Sequence, residues 1–404
     1  MLKLPGFLAI CFLVHSALCQ QSGGARIHDD ASSKIALVAA PLVGILTQPC
    51  ERCLGKSLIP TAVIKWVEAA GGRPVLIRYY SSEGELRRLF QQVNGLVLPD
   101  GPGYELMDDS YMKAARSLFE LAVQANDAGD PFPIYGICRG FQMLHTLASN
   151  VTAKSLLVDT KAGPHATNIK FWNKAAMQSK LFGNLLGRLQ NALESEHIIF
   201  QDHKSGISPA IYDKYPSLSS WYRILSTSKD IDGDLITSIE GVKYPFFGTQ
   251  WHPEMPPYEF YLEQIPHSSE AIQVSQHTGS VLVEAAKKSL HRPQSKEQEL
   301  ELVGLMSGAH VNVADEENAS MTYFFDAKVK LDVRDDEMKE GPQRRLLQGN
   351  EPATKAQLDD VESKVRELRG LFGLYGLFGI FGVFGTLYEM KRKMTGYGEA
   401  SPRV

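Results

Sequence analysis

The chain has 404 residues, a formal net charge of −4, 44% hydrophobic residues and 22% charged residues. This is ordinary globular composition, which excludes a disordered chain, a collagen and a small disulfide scaffold, and the near-neutral balance lacks the basic footprint of a nucleic-acid-binding protein. At about 150 residues per domain the length predicts two or three structural units, and five cysteines (Cys11, Cys19, Cys50, Cys53 and Cys138) are too few for a dense disulfide framework.

Met1-Leu2-Lys3 lead into an apolar run from Leu4 to Leu18, and polar Gln20–Gly24 follow. A basic start, a short apolar run and a small-residue exit predict a secretory signal peptide over residues 1–19. The expected destination is the secretory pathway: the extracellular space, a vacuolar or lysosomal lumen, or a membrane-anchored form with a lumenal catalytic domain. Cys50-Glu51-Arg52-Cys53 is an isolated C-x-x-C. A zinc site needs further ligands at partner spacing, and none lie nearby.

From Pro41 onward strand-like and helix-like segments alternate. Strands are predicted over Leu42–Thr47, Pro74–Tyr79, Gly95–Pro99 and Phe132–Ile137. Helices are predicted over Pro60–Ala70, Gly84–Gln92, Tyr111–Asn126 and Gly140–Ala148. Such alternation means βαβ units and a parallel sheet. Strands at shorter spacing, Arg223–Thr227, Leu235–Ile239 and Tyr244–Trp251, predict an antiparallel extension, and a last helix is expected from Ser275 to Leu290. Asn150-Val151-Thr152 and Asn318-Ala319-Ser320 make Asn150 and Asn318 glycosylation candidates in a secreted chain.

Beyond Asp326 the composition changes. Residues 327–369 are charged and read as a solvated stalk, because Leu358, Val361, Val365 and Leu368 span too few heptads for a coiled coil. Leu371–Tyr388 carries no charge, and as a helix it would reach about 27 Å, close to the hydrocarbon thickness of a bilayer. Lys391-Arg392-Lys393 follow directly. The expectation is a transmembrane helix over 370–390 with a cytosolic tail at 391–404, although glycine at every third position disfavours a helix in water.

The strongest local signal is Gly136-Ile137-Cys138-Arg139-Gly140, between a buried strand and a helix. This is a G-x-nucleophile-x-G elbow with cysteine at its apex. The helix N-terminus beneath the sulphur favours thiolate, and the N–H of Arg139 is placed to receive an oxyanion. A lone cysteine is usually buried and inert; the strand–elbow–helix context favours the nucleophile. Gly248-Thr249-Gln250-Trp251-His252-Pro253-Glu254 supplies a base at the end of another strand. His252 would take the thiol proton and later protonate the leaving amine. Glu254, two residues on in an extended segment, would point to the same side and hold the imidazole tautomer.

These two motifs resemble the class I glutamine amidotransferase superfamily. Tyr244–Gly248, the tryptophan before the histidine, and Pro257-Tyr258-Glu259 are similar to one branch, the gamma-glutamyl hydrolases of folate polyglutamates (peptidase C26). Further matches are Gly44–Cys50, Gly95–Pro99, Asp130–Gly136, Phe200–Lys204 and Tyr323–Asp326, in order across the middle of the chain. The resemblance implies a flavodoxin-like three-layer α/β/α fold with a mostly parallel central sheet, a hydrolase domain over 34–326, and no cofactor or metal. It implies Cys138 as nucleophile, His252 as base, Glu254 as third member, and a site position for His203. The implied substrate is a folylpoly-gamma-glutamate, a small molecule; a homodimer is left open.

Two departures stand out. Family members usually carry Pro-Gly-Gly in the oxyanion loop, whereas this chain has Pro99-Asp100-Gly101. The second donor is then Asp100 or Gly101, with Gly101 taken for the role. Arg139 follows the nucleophile where this branch more often has leucine, as in gamma-glutamyl-GABA hydrolases. The alternatives are therefore a hydrolase of a small gamma-glutamyl amine and a membrane-tethered, non-catalytic binding protein on this fold.

Overall fold

The computed structural model describes residues 38–49, 57–101, 109–160, 163–230, 233–304, 310–313 and 321–326. The chain divides into two units, Met1–Val329 and Lys330–Val404, and every described residue belongs to the first. The expected signal peptide, Cys50, Cys53, Asn318, the stalk and the tail lie outside the described residues.

Eight strands form the main sheet: β1 (Leu42–Leu46), β2 (Arg73–Ile77), β3 (Gly95–Leu98), β4 (Ile134–Ile137), β5 (Lys170–Phe171), β6 (Tyr222–Asp230), β7 (Gly233–Gly241) and β8 (Phe246–Thr249). Their order is β2-β1-β3-β4-β8-β7-β6-β5. The first five are parallel and the remaining pairings are antiparallel. The predicted antiparallel extension is therefore present, with one refinement. The strand expected over Tyr244–Trp251 is β8, which pairs in parallel with β4 on one side and antiparallel with β7 on the other.

The helices are α1 (Thr61–Ala69), α2 (Glu83–Phe90), α3 (Asp109–Asp127), α4 (Arg139–Ser149), α5 (Ser269–Ala286) and α6 (Lys296–Gly304). Side chains alternate across a strand, so β1 feeds two cores. Leu42 and Leu46 join one with Leu86, Leu89, Leu118, Phe141 and Leu144 of α2, α3 and α4. Val43 and Ile45 join the other with Val63, Trp66, Val67, Val274 and Leu282 of α1 and α5. A sheet covered on both faces explains why β1 reads as an unbroken apolar run, buried at every position. This is the three-layer α/β/α arrangement expected. Polar contacts fix the ends: Ser82 and Ser268 cap α2 and α5 by accepting from Glu85 N and Ala271 N, and Trp66 Nε1 donates to Ser275 O at 3.0 Å.

One expectation is corrected. No helix among the described residues is long and apolar enough to cross a membrane, and 370–390 lies outside those residues, so the C-terminal transmembrane helix has no support. Apolarity and length define a candidate window, not a helix, and the six glycines at every third position from Gly370 to Gly385 would each disfavour a helix in water by about 1 kcal/mol. Asn150 is exposed at the C-terminus of α4, in the left-handed conformation with φ 55°.

Glycines decide how closely β3, β4 and α4 approach. A Cβ on Gly136 would lie 2.6 Å from the Gly140 carbonyl, and one on Gly140 would lie 1.8 Å from Leu98 O. Both contacts are with backbone, which has little room to yield. Gly140→Ala is expected to destabilise by more than about 3 kcal/mol, whereas Gly84→Ala, open on the surface of α2, is expected to be neutral or stabilising by up to about 1 kcal/mol. Urea denaturation of both variants checks this.

Candidate active site

Three adjacent parallel strands end at one edge. β3 runs out into Pro99-Asp100, β4 into Cys138, and β8 into Gln250-Trp251-His252. Leu98 pairs with Gly136 and Ile137 with Thr249, so the three exits sit side by side. The carboxyl ends of parallel strands are where open α/β sheets place their ligands.

Cys138 occupies the turn between β4 and α4 with φ 48° and ψ −99°. Such a backbone is uncommon for a residue with a side chain and costs on the order of 1–3 kcal/mol. It is held there by Cys138 N donating to Thr249 O at 2.8 Å and by Gln142 N donating to Cys138 O at 3.2 Å. The sulphur is buried, 3% exposed. It faces Asp202 O at 3.7 Å and receives Gln250 Nε2–H at 3.4 Å.

His252 is fully buried. Its backbone N–H donates to Phe200 O at 2.9 Å, and Trp251 is pinned by Nε1 donating to Ser238 Oγ at 3.1 Å. The Nδ1–H donates to Glu254 Oε1 at 2.9 Å. This contact forms although Pro253 and Glu254 lie in a turn rather than in the extended segment expected. A His252 ring nitrogen, the Cys138 sulphur and an Asp100 carboxylate oxygen all lie within 4.8 Å of one another. With Nδ1 committed to Glu254, Nε2 is left for the thiol. Among the described residues this trio is the grouping whose atoms could together reach a metal ion.

The local charges act in opposite directions. Burial pushes the Cys138 thiol up to about 12, the Asp100 carboxylate pushes it the same way, and His252 opposes both. Burial alone would lower His252, but the Glu254 carboxylate and then Cys138 raise it well above the usual histidine range. Glu254 thus favours the imidazolium that His252 becomes once it has taken the thiol proton.

Asp100 is partly buried, and its Oδ1 accepts the backbone N–H of Arg139 at 3.2 Å. That N–H is the expected oxyanion donor. Gly101 follows directly; a Cβ there would meet Gln48 Cδ at 3.4 Å. The Arg139 side chain turns along α4, with Nη1 donating to Gln142 Oε1 at 3.0 Å. His203 lies one residue beyond Asp202. Its Nε2–H donates to Gln201 Oε1 at 2.5 Å, and Thr160 Oγ1 donates to its carbonyl at 2.7 Å. Burial, followed by the charge of His252, lowers His203 to about 4 and keeps it neutral.

Two side chains at the site have no role in the sequence expectations. Gln250 is fully buried and links Gln142 Nε2, 2.9 Å from its Oε1, to the sulphur. Its only signal was its place inside the histidine motif. Asp100 drew attention as a backbone donor, while it is the side chain that reaches the elbow.

A family model for peptidase C26 matches residues 41–254. Gamma-glutamyl hydrolase 1 of Arabidopsis thaliana is 33% identical over 264 residues, 63% of this chain and 74% of that protein. Gamma-glutamyl hydrolase of Bos taurus is 33% identical over 264 residues, 64% and 81% respectively. That of Homo sapiens is 31% identical over 279 residues, 68% and 84%.

Replacing Gln250 with leucine removes a donor from the sulphur and one of the two acceptors of Gln142 Nε2. Alkylation of Cys138 by iodoacetamide at neutral pH is expected to slow several-fold, and stability to fall by about 1–3 kcal/mol in urea denaturation.

Proposed function

The chain belongs to the peptidase C26 family, and from that premise we propose that it hydrolyses gamma-glutamyl amide bonds, with folylpoly-gamma-glutamates as substrates. The observation that carries the reading is the buried elbow thiol of Cys138 beside a histidine oriented by a carboxylate.

In this reading His252 Nε2 takes the thiol proton, and the sulphur attacks the gamma-carbonyl carbon. Charge moves onto the carbonyl oxygen, which rests on the N–H groups of Arg139 and Gly101. The intermediate collapses, the C–N bond breaks, and the His252 imidazolium protonates the departing amine of the next glutamate. Water, deprotonated by His252, then attacks the thioester, and the sulphur leaves as thiolate. Glu254 keeps Nδ1 protonated and stabilises the imidazolium, the orienting role in a triad. Neutral His203 supports the wall of the site beside Asp202. The Arg139 guanidinium suits a substrate rich in carboxylates. We assign the hydrolase domain to 34–326 and its place of action to a secretory compartment, on the pattern of residues 1–19. Arginine after the nucleophile also supports a second reading, hydrolysis of a small gamma-glutamyl amine.

Offered pteroylpentaglutamate, the purified protein is expected to release glutamates and form a thioester adduct detectable by mass spectrometry, and Cys138→Ala to lose at least about 10⁴-fold in rate. Absence of cleavage by the unaltered protein overturns the folylpolyglutamate reading, and cleavage of gamma-glutamyl amines alone selects the second.

Glu254→Gln supplies a sign-specific check. The carboxylate raises His252, so its loss lowers the pH at which the imidazolium deprotonates. Because His252 must be deprotonated to take the thiol proton, the acid limb of kcat/KM is expected to move to lower pH, with kcat reduced by about 10²-fold or more. An unmoved limb contradicts the pairing.

A further inference from the structure

The N–H of the residue after the nucleophile is the natural resting place of a tetrahedral oxyanion. In this structure that N–H already holds an anion, the Asp100 carboxylate, at 3.2 Å. We propose that Asp100 is a self-inhibitory side chain that stands in for the oxyanion in the resting site, and that substrate must displace it before Cys138 can react. The proposal rests on the hydrolase reading above for its substrate, though not for its geometry.

Three observations place the carboxylate there. Gly140, without a Cβ, lets the end of β3 press onto the start of α4, where even a methyl group would lie 1.8 Å from Leu98 O. Asp100, two residues beyond Leu98, is thereby set against the first turn of α4. The N–H groups of that turn carry partial positive charge and attract an anion. The carboxylate also lies within 4.8 Å of both the Cys138 sulphur and a His252 ring nitrogen, so it competes with the thiolate for the same imidazolium.

The charged and titratable groups around Asp100 are therefore Cys138 and Arg139 on the elbow, His252 after β8, and Asp202 and His203 after Ile199–Gln201. The Asp100 charge raises both Cys138 and Asp202. A glycine at this position would leave the Arg139 N–H open and remove a negative charge from beside the sulphur. The side chain thus restrains the reaction twice, by occupying the oxyanion donor and by opposing thiolate formation.

The test compares Asp100→Gly and Asp100→Asn with the unaltered full chain. Cys138 alkylation by iodoacetamide is followed against pH, and hydrolysis of pteroylpentaglutamate is followed in parallel. Both variants remove the charge, so alkylation at neutral pH is expected to rise at least about tenfold and its midpoint to move to lower pH, by the cost of placing like charges together. Only glycine also frees the N–H, since asparagine retains an acceptor oxygen, so kcat/KM is expected to rise at least about tenfold in Asp100→Gly and less in Asp100→Asn. Thermal unfolding checks that each variant is folded, and Asp100→Asn carries the alkylation test if Asp100→Gly is not. Unchanged alkylation, or a fall in kcat/KM in a folded Asp100→Gly protein, overturns the proposal. Faster alkylation without hydrolysis by any form overturns the substrate reading and leaves the self-inhibitory contact standing.

Discussion

The geometry of the site depends on one steric constraint, the close approach of β3 and β4 to the start of α4. A cysteine at φ 48° is a strained backbone, worth on the order of 1–3 kcal/mol, and it persists only because the surroundings over-determine it. Gly136 and Gly140 remove the side chains that would block the turn. The parallel pairing of Ile137 with Thr249 then brings Cys138 N onto Thr249 O. That hydrogen bond joins the nucleophile's strand to the strand that delivers His252. The distance between thiol and base is therefore set by backbone pairing in the middle of the sheet, not by flexible loops.

Burial makes the polar contacts around the sulphur consequential. A chain of donors runs from Arg139 Nη1 to Gln142 Oε1, from Gln142 Nε2 to Gln250 Oε1, and from Gln250 Nε2 to Cys138 Sγ. Gln142 Nε2 also reaches Ser205 O at 2.7 Å, tying α4 to the segment after Ile199–Gln201. Each member completes its neighbour's hydrogen bonding, and in a low-dielectric interior a half-satisfied amide is costly. The network holds the sulphur while the Glu254 carboxylate holds the imidazole, and Gln250, two residues before His252, links the two, so nucleophile and base are positioned together from α4 and from the segment after β8.

Much of this was legible in the sequence. The buried strands and the long helices show as apolar runs and three-four periodicity, because a sheet covered on both faces and amphipathic helices leave strong patterns. Cys138, His252 and Glu254 stand out in the sequence because an elbow and a strand-end motif each compress their geometry into a few residues. The segment from Val151 to Trp221 was not legible. Its strands, such as His165–Thr167 and Ile199–Gln201, are three residues long, too short to show a period, and they are fixed by pairing with each other. The side chain of Asp100 was missed for a related reason: its contact with Arg139 N crosses 39 residues and exists only once β3 and α4 have been pressed together. The apolar run at 371–388 reads as a membrane span on length and hydropathy alone, and it lies outside the described residues, none of whose helices is long and apolar enough to cross a membrane.

The site therefore carries an electrostatic conflict. His252 is asked to stabilise charge on Cys138 while two carboxylates face it, Glu254 from the Nδ1 side and Asp100 from the side of the sulphur. Like charges on Asp100 and Cys138, no more than 4.8 Å apart, would repel by roughly 3 kcal/mol or more at the effective dielectric of a partly buried site. Glu254 lies behind the imidazole, so it stabilises the imidazolium without touching the place where substrate reacts. Asp100 lies on the reacting side, where its charge opposes the thiolate and its oxygen fills the donor that the transition state needs. A carboxylate in that position is stable only while no better anion is present. The tetrahedral oxyanion, covalently held over the same N–H, is such an anion, so the strain of exchange falls on substrate binding and not on the fold.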